Sequence, residues 1–130
     1  TPYVNMLNDA GIRVSLFIEP EQNQLEAALS LGAPVVELHT GAYCNASVKD
    51  QEFQFQRILD AAKMAVELGL ECHAGHGLTF ETVKPIAAIK DIKELNIGHF
   101  IIGEAIFNGL EKSIQRMSSL MEEARQGKLS

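Results

Sequence analysis

Short apolar runs along the chain alternate with stretches in which apolar residues recur every three or four positions. The runs at residues 12–18, 35–39, 70–75 and 95–98 predict buried strands. The spaced stretches between them predict helices, because this spacing places apolar side chains on one helix face. Helices are predicted at residues 1–10, after Glu19-Pro20, at residues 49–68, around Ile86, Ile89 and Ile92, and over a last stretch ending before Gly127, with a tail at 128–130.

Two of these predicted helices carry specific expectations. Pro85 lies inside the stretch that follows the third strand, so a break or a fresh helix start is expected there. In the last helix, apolar residues recur at spacings of three and four and predict one buried stripe. The stripe comprises Ile106, Phe107, Leu110, Ile114, Met117 and Met121.

Strands that alternate with helices predict an α/β fold with a parallel sheet. Four strand–helix units amount to half of an eight-fold (β/α)8 TIM barrel. An open four-stranded sheet is the alternative that the pattern leaves open.

Composition narrows the possible partners and location. The 130 residues are 46% hydrophobic and carry a formal net charge of −6. This acidic balance argues against nucleic acid and against an anionic membrane surface. Apolar runs fall far short of the ~20 residues that span a bilayer. Cys44 and Cys72 form no CxxC spacing, so a reducing, cytoplasmic location is expected.

Polar residues cluster where the predicted strands end, and ligands of parallel α/β folds bind at that edge. Glu19, His39, His76 and His99 lie at or near strand ends, and Glu37 lies within the second strand. Simpler structural interpretations exist for Glu19, which could complement a helix N-terminus, and for His39, which could be a hydrogen-bonded core histidine. An acid inside a buried strand is rarely left unpaired, which favours a function for Glu37.

His76 lies between Gly75 and Gly77, where the backbone can turn sharply and a ligand can approach closely. The spacing His73-x-x-His76 with His39 suggests zinc, but residues three apart on a strand point to opposite faces, so no metal is expected. No lysine lies at a strand end, which argues against Schiff-base chemistry.

Glycines follow the third and fourth strands, at Gly77 and at Gly98-His99. If these strands are the seventh and eighth of a barrel, the two turns coincide with the usual phosphate site of that fold. Backbone N–H groups and helix N-termini would bind the phosphate there, and any cation would come from elsewhere.

Four stretches together resemble the pyridoxine 5′-phosphate synthase family. The resemblance covers nearly the whole chain but only the carboxyl-terminal half of those enzymes. It therefore implies that residues 1–130 are strands 5–8, the last four β/α units, of a single TIM-barrel domain. The stretches are GIRVSLFIEP, VVELHTGAY, HAGHGLTFETVKPIAAI and ELNIGHFIIGEAIFNGLEKSI.

The resemblance also implies an activity in vitamin B6 biosynthesis. Family members condense 3-amino-2-oxopropyl phosphate with 1-deoxy-D-xylulose 5-phosphate to give pyridoxine 5′-phosphate, phosphate and water. They use no metal or organic cofactor and assemble as homo-octamers. The family's proton acceptors and most contacts to deoxyxylulose phosphate lie in the first four strands, so this chain is expected to be inactive without that amino-terminal half.

Roles carry over from the family to five residues of this chain. The resemblance implies that His76 is the proton donor and that Glu37 stabilises the transition state. It implies that Gly77, Gly98 and His99 contact the phosphate of the amino ketone.

Two positions depart from the family pattern. His73 stands where asparagine precedes AGHGL, and Glu104 stands where many relatives carry arginine. Two other functions stay open: an isomerase or epimerase of sugar phosphates on the same fold, and a half-barrel that serves as a non-catalytic scaffold.

Overall fold

The computed structural model describes residues 2–127, and strands and helices alternate in the predicted order. The predicted tail at 128–130 and the first residue of the predicted first helix lie outside the described residues. The strands are β1 (Ser15–Ile18), β2 (Val35–His39), β3 (Glu71–Gly75) and β4 (Ile92–Asn96). The helices are α1 (Pro2–Asp9), α2 (Gln22–Ser30), α3 (Gly41–Cys44), α4 (Val48–Glu67), α5 (Val83–Ala88), α6 (His99–Asn108) and α7 (Leu110–Arg125).

The four strands form one parallel sheet in the order β1-β2-β3-β4, which confirms the predicted α/β class. Each strand therefore lies beside the strand that precedes it in the chain. A doubly wound sheet would reverse its order at a switch point, whereas a barrel winds in one direction. The sheet is consistent with half of a barrel, and within the described residues β1 and β4 are its two edges.

The two faces of the sheet differ in chemistry, because successive side chains on a strand point to opposite sides. One face buries aliphatic side chains such as Val36 and Leu38 against helices α2, α4 and α5, which contribute Leu25, Ile58 and Ile86 to the same core. The opposite face carries polar side chains in neighbouring register positions. These are Glu37 on β2, His73 on β3, and Glu94 and Asn96 on β4.

The fourth strand begins three residues earlier than predicted, and Ile92 belongs to it rather than to a helix. Helix α5 starts afresh at Val83, two residues before Pro85, and ends at Ala88. Ile89 is already extended, and Ile92 pairs with Cys72 and is fully buried. The isoleucine spacing therefore continues from a helix into a strand, and spacing alone did not reveal the change.

The prediction of one long last helix with one buried stripe is wrong. Gly109, with φ +84°, separates α6 from α7 and changes the direction of the chain. Of the predicted stripe, Met117 is buried, whereas Ile106, Phe107 and Leu110 are exposed. Together with Ile102 and Ile114 these exposed residues form the α6–α7 apolar surface.

The 130-residue chain alone is expected to self-associate or to remain partly unfolded. It exposes two strand edges, the polar face and the α6–α7 apolar surface, and unpaired edges readily pair with other chains. Light scattering after size-exclusion chromatography checks the association state, and thermal unfolding checks rigidity. A stable, rigid monomer would contradict the half-barrel.

A matched pair of variants tests the contribution of the apolar surface. Phe107 and Val48 are 87% and 93% exposed, on α6 and α4 respectively. Phe107→Ser should reduce self-association, whereas Val48→Ser should leave it unchanged.

Candidate active site

The carboxyl ends of the four strands meet at one edge of the sheet and bring the predicted polar residues together. Glu19 follows β1, Thr40 follows β2, His76 follows β3, and Gly98 follows β4 after one intervening residue. This arrangement results from the parallel, sequential order of the strands. It is the edge at which α/β folds bind their ligands.

An open cavity of about 680 Å³ lies at this edge, and all five predicted site residues line it. Glu37, His76 and His99 contribute ionisable side chains, and Gly77 and Gly98 contribute backbone. The remaining lining residues are mostly apolar: Phe17, Leu78, Thr79, Asn96, Ile97 and Phe100. None of the described residues that line this cavity is a lysine or an arginine.

The Glu37 carboxylate is held by neighbouring strands on the polar face. Asn96 Nδ2 donates a hydrogen bond of 2.9 Å to Glu37 Oε2. A Cβ atom on Gly75 would overlap Glu37 Oε1 and would lie 2.7 Å from the Asn96 carbonyl oxygen. Gly75 is therefore required because a Cβ there would clash with the backbone of β4, and its absence lets the Glu37 carboxylate lie directly against β3.

His76 has an unusual backbone conformation for a residue with a side chain. Its φ is +77°, in the left-handed region, which costs an L-residue about 1–2 kcal/mol. The buried Thr40 hydroxyl lies 2.7 Å from the Gly75 carbonyl oxygen and 2.6 Å from that of His76, and donates its hydrogen to this pair. Thr40 N–H donates a further bond of 2.8 Å to the Gly75 carbonyl. The end of β2 thus holds the turn that presents His76.

Behind His76, Glu19 and His39 form a pair outside the cavity lining. Glu19 Oε1 lies 2.6 Å from His39 Nδ1. The His39 and His76 rings meet edge to face, with centroids 4.8 Å apart. A Cβ on Gly41 would lie 2.7 Å from His39 Nε2 and 3.2 Å from His76 Cδ2, so only glycine allows the rings this close to the backbone.

The part of the cavity beside the N-terminus of α6 has the features of an anion site. Helix α6 begins at His99, and its first turn lines the cavity through His99 and Phe100. The first N–H groups of an α-helix have no helical partner and attract anions. Gly77, with φ +85°, lines the same cavity. A Cβ on Gly98 would meet no atom within 4 Å, so its glycine leaves space at the cavity.

Sequence reasoning missed three residues that shape this site. Asn96 binds Glu37, Thr40 holds the His76 turn, and Phe17 lines the cavity and contacts the His39 ring. Phe17 and Asn96 share a sheet face with Glu37, so correct strand bounds and alternation would have found them. Thr40 has no local signal, because its bonds join residues that are distant in sequence.

The two positions that depart from the family pattern do not line the cavity. Asn108 donates a hydrogen bond to Glu104 on the surface of α6, and His73 lies deeper on the polar face.

Within residues 2–127, no three His, Cys, Asp or Glu side chains are grouped so that they could hold a metal ion. No helix in this part of the chain is long and apolar enough to cross a membrane.

Replacing Thr40 should destabilise the His76 turn. Thr40→Val keeps the shape but removes the hydroxyl hydrogen bond from the part-buried His76 carbonyl, which retains only a 3.9 Å contact with Cys44 Sγ, and this costs about 0.5–1.5 kcal/mol of unfolding free energy. Thr40→Ser retains the hydroxyl and should cost less. Urea unfolding of the chain, or of a longer polypeptide that contains it, measures the difference. Equal stability of the valine variant and the wild type would contradict this role.

A second polar cluster lies on the same face at the amino end of β3. Arg13 Nη2 lies 2.5 Å from Glu71 Oε2, and Glu71 Oε1 lies 2.8 Å from Nε2 of the buried His73. Glu94 Oε1 is 3.7 Å from His73 Nδ1. The hydrogen bond from Arg13, followed by that from His73, lowers the pKa of Glu71 to about 2. His73 is therefore part of a structural ion-pair cluster.

The Arg13–Glu71 pair should make stability depend on pH in the acid range. Folding lowers the Glu71 pKa from 4.5 to about 2, so its contribution is present above pH 4.5 and is lost as the pH falls toward 2. The difference in unfolding midpoint between the wild type and Glu71→Gln should shrink across this window. As a control, Glu67→Gln removes only an exposed pair with Lys63 and should show a small difference throughout. A Glu71→Gln difference that does not change with pH would contradict the assignment.

Comparison with known proteins identifies the family. The family model described as "Pyridoxal phosphate biosynthesis protein PdxJ" matches residues 1–123. A pyridoxine 5′-phosphate synthase from Rhodospirillum rubrum is 61% identical over 127 residues, which are 97% of this chain and 51% of that protein. The protein of the same name from Zymomonas mobilis is 60% identical over 124 residues, 95% of this chain and 48% of that protein.

The chain spans about half the length of the curated relatives that it matches. A third relative of the same name, from Caulobacter vibrioides, is 57% identical over 123 residues, with 92% of this chain and 48% of that protein covered. These matches confirm the resemblance that the sequence motifs indicated. The chain therefore belongs to the PdxJ family of pyridoxal phosphate biosynthesis proteins.

Proposed function

We propose that this chain is the carboxyl-terminal half, strands 5–8, of a single (β/α)8 barrel domain. Three observations support this: the chain covers half of its relatives, its strands wind in one direction, and its polar face carries the site. In a closed barrel the missing half would pair with edges β1 and β4. It would also enclose the polar face, which a barrel keeps inside.

The complete enzyme, meaning this chain joined to the other half of the family's length, is a pyridoxine 5′-phosphate synthase in this proposal. It condenses 3-amino-2-oxopropyl phosphate with 1-deoxy-D-xylulose 5-phosphate and releases pyridoxine 5′-phosphate and phosphate. The curated relatives carry the name of that enzyme. The observation that carries the proposal is that Glu37, His76, Gly77, Gly98 and His99 line one cavity.

His76 acts as the proton donor in this reaction. Imine formation, loss of water and departure of phosphate each require protons to be delivered, and an imidazole does this near neutral pH. The left-handed turn presents the exposed His76 ring to the cavity. Glu37 stabilises the cationic, iminium-like species, because Asn96 and the close backbone of Gly75 hold its carboxylate in place.

The phosphate of the amino ketone binds in the part of the cavity beside the N-terminus of α6. The N-terminus of α6 supplies N–H groups through Gly98 and His99, and Gly77 lines the same cavity. The lining residues of this half include no lysine or arginine. The family resemblance implies that the proton acceptors and most contacts to deoxyxylulose phosphate, including a cationic one, lie in the other half, so in this proposal the chain is inactive by itself.

Location and assembly form part of the same proposal. The enzyme works in the cytoplasm as a homo-oligomer, an octamer as in the family, without a metal or organic cofactor. The α6–α7 apolar surface supports burial against another chain or against the missing half. A scaffold without catalysis would have no need for the strained His76 or for a carboxylate packed against glycine.

Substituting His76 tests the proposal in the complete enzyme. His76→Asn should lower kcat by about 10²–10⁴-fold, the usual contribution of a general acid. The measurement is formation of pyridoxine 5′-phosphate from the two substrates, with circular dichroism to verify the fold.

The matched control is His73→Asn, because His73 is a histidine of β3, the strand that leads into the His76 turn, and lies outside the cavity lining. Its kcat should stay close to the wild-type value. Unchanged turnover in His76→Asn would refute the proton-donor role. Absence of turnover in the wild-type complete enzyme would refute the proposed reaction.

A further inference from the structure

We infer that Glu19 and His39 form a positioning pair that holds the His76 ring in its productive orientation. The inference rests on the proposed function of His76 and adds two residues to which the family comparison assigned no role. Neither residue lines the cavity, so they act through His76 rather than on a substrate.

The first step is the anchoring of His39 by Glu19. Glu19 directly follows β1, and its Oε1 lies 2.6 Å from Nδ1 of His39, the last residue of β2. An ionised carboxylate only accepts hydrogen bonds, so Nδ1 carries the hydrogen and Nε2 is directed toward Gly41. The pair joins the ends of two neighbouring strands and fixes the ring plane of His39.

The second step is the contact between the two rings. The His39 and His76 centroids are 4.8 Å apart at an interplanar angle of 66°, and both rings approach the space above Gly41. Phe17 packs edge-on against His39 at 5.0 Å and lies 6.1 Å from the His76 ring. His39 therefore forms one wall for the His76 ring, whose other side faces the open cavity.

The third step is the consequence for proton transfer. The hydrogen bond from Thr40 fixes the His76 backbone, but it does not determine the side-chain torsions of His76. Without the hydrogen bond from Glu19, the His39 ring could move, and the His76 ring that packs against it would gain alternative orientations. Misplacement of a catalytic group by about 1 Å can reduce a rate by about 10²-fold.

The experiment removes the Glu19 carboxylate in the complete enzyme. Glu19→Ala should lower kcat by about 10- to 100-fold, with KM for both substrates changed by less than about threefold. Glu19→Gln keeps an acceptor oxygen and should recover part of the loss. The matched control is Glu21→Ala, because Glu21 is an acid of the same loop that pairs with Arg57 instead. It should leave kcat unchanged.

A double variant separates positioning through His76 from a general structural effect. In a His76→Asn background, Glu19→Ala should cause no further loss of the residual rate, because its effect requires the imidazole. Equal losses in both backgrounds would overturn the inference, as would a parallel fall in kcat and thermal midpoint for Glu19→Ala.

A spectroscopic measurement tests the pair independently of turnover. In enzyme labelled with ¹³C-histidine, Glu19→Ala should shift the ring resonances of His76, whereas Glu21→Ala should not. Unchanged His76 resonances would overturn the positioning role even if the reaction is confirmed. A shift in an enzyme that does not process the two substrates would refute the proposed reaction and retain the pair.

Discussion

The pairing of β2 with β3 continues one residue beyond both strands, and the site depends on that continuation. The Thr40 N–H bonds to the Gly75 carbonyl, and its hydroxyl lies within bonding distance of both the Gly75 and His76 carbonyl oxygens. The same register sets Glu37 beside His73 and His39 beside Gly75. A carboxylate on one strand and an imidazole after the next thereby reach one cavity, and neither could do so if the register slipped by one residue.

Side chains that approach the backbone closely explain the glycines of this region as much as the ability of glycine to adopt a positive φ does. Gly75 leaves room for the Glu37 carboxylate, and Gly41 leaves room for two imidazole rings. Gly77 has a positive φ and also packs near Cys44, where a Cβ would lie 3.3 Å from the Cys44 Cβ. The connection after β2 and the connection after β3 are thus drawn together at the carboxyl edge of these two strands.

The sequence predicted the parallel α/β order and five of the residues that line the cavity, because strand order and strand ends follow from local patterns. Strand ends and alternation are properties of a few neighbouring residues, and they sufficed for Glu37, His76 and Gly77. Prediction failed where the same spacing of apolar residues was compatible with two structures. Ile92 continues a helical spacing but lies in β4, and the spacing across the last stretch did not reveal that Gly109 divides it into two helices. The hydrogen bonds of Thr40 to the Gly75 and His76 carbonyls join residues that are distant in sequence, and no local pattern encodes them.

The sequential order of the strands also has a consequence for the route of folding. Each strand pairs with the one made just before it, so during synthesis on the ribosome every new β/α unit meets an edge that is already formed. Pairing between neighbours in the chain closes shorter loops than pairing between distant strands would, which lowers the entropic cost of each step. In the proposed barrel, closure would be the exception, because it would pair the first strand synthesised with the last and could occur only when translation is nearly finished.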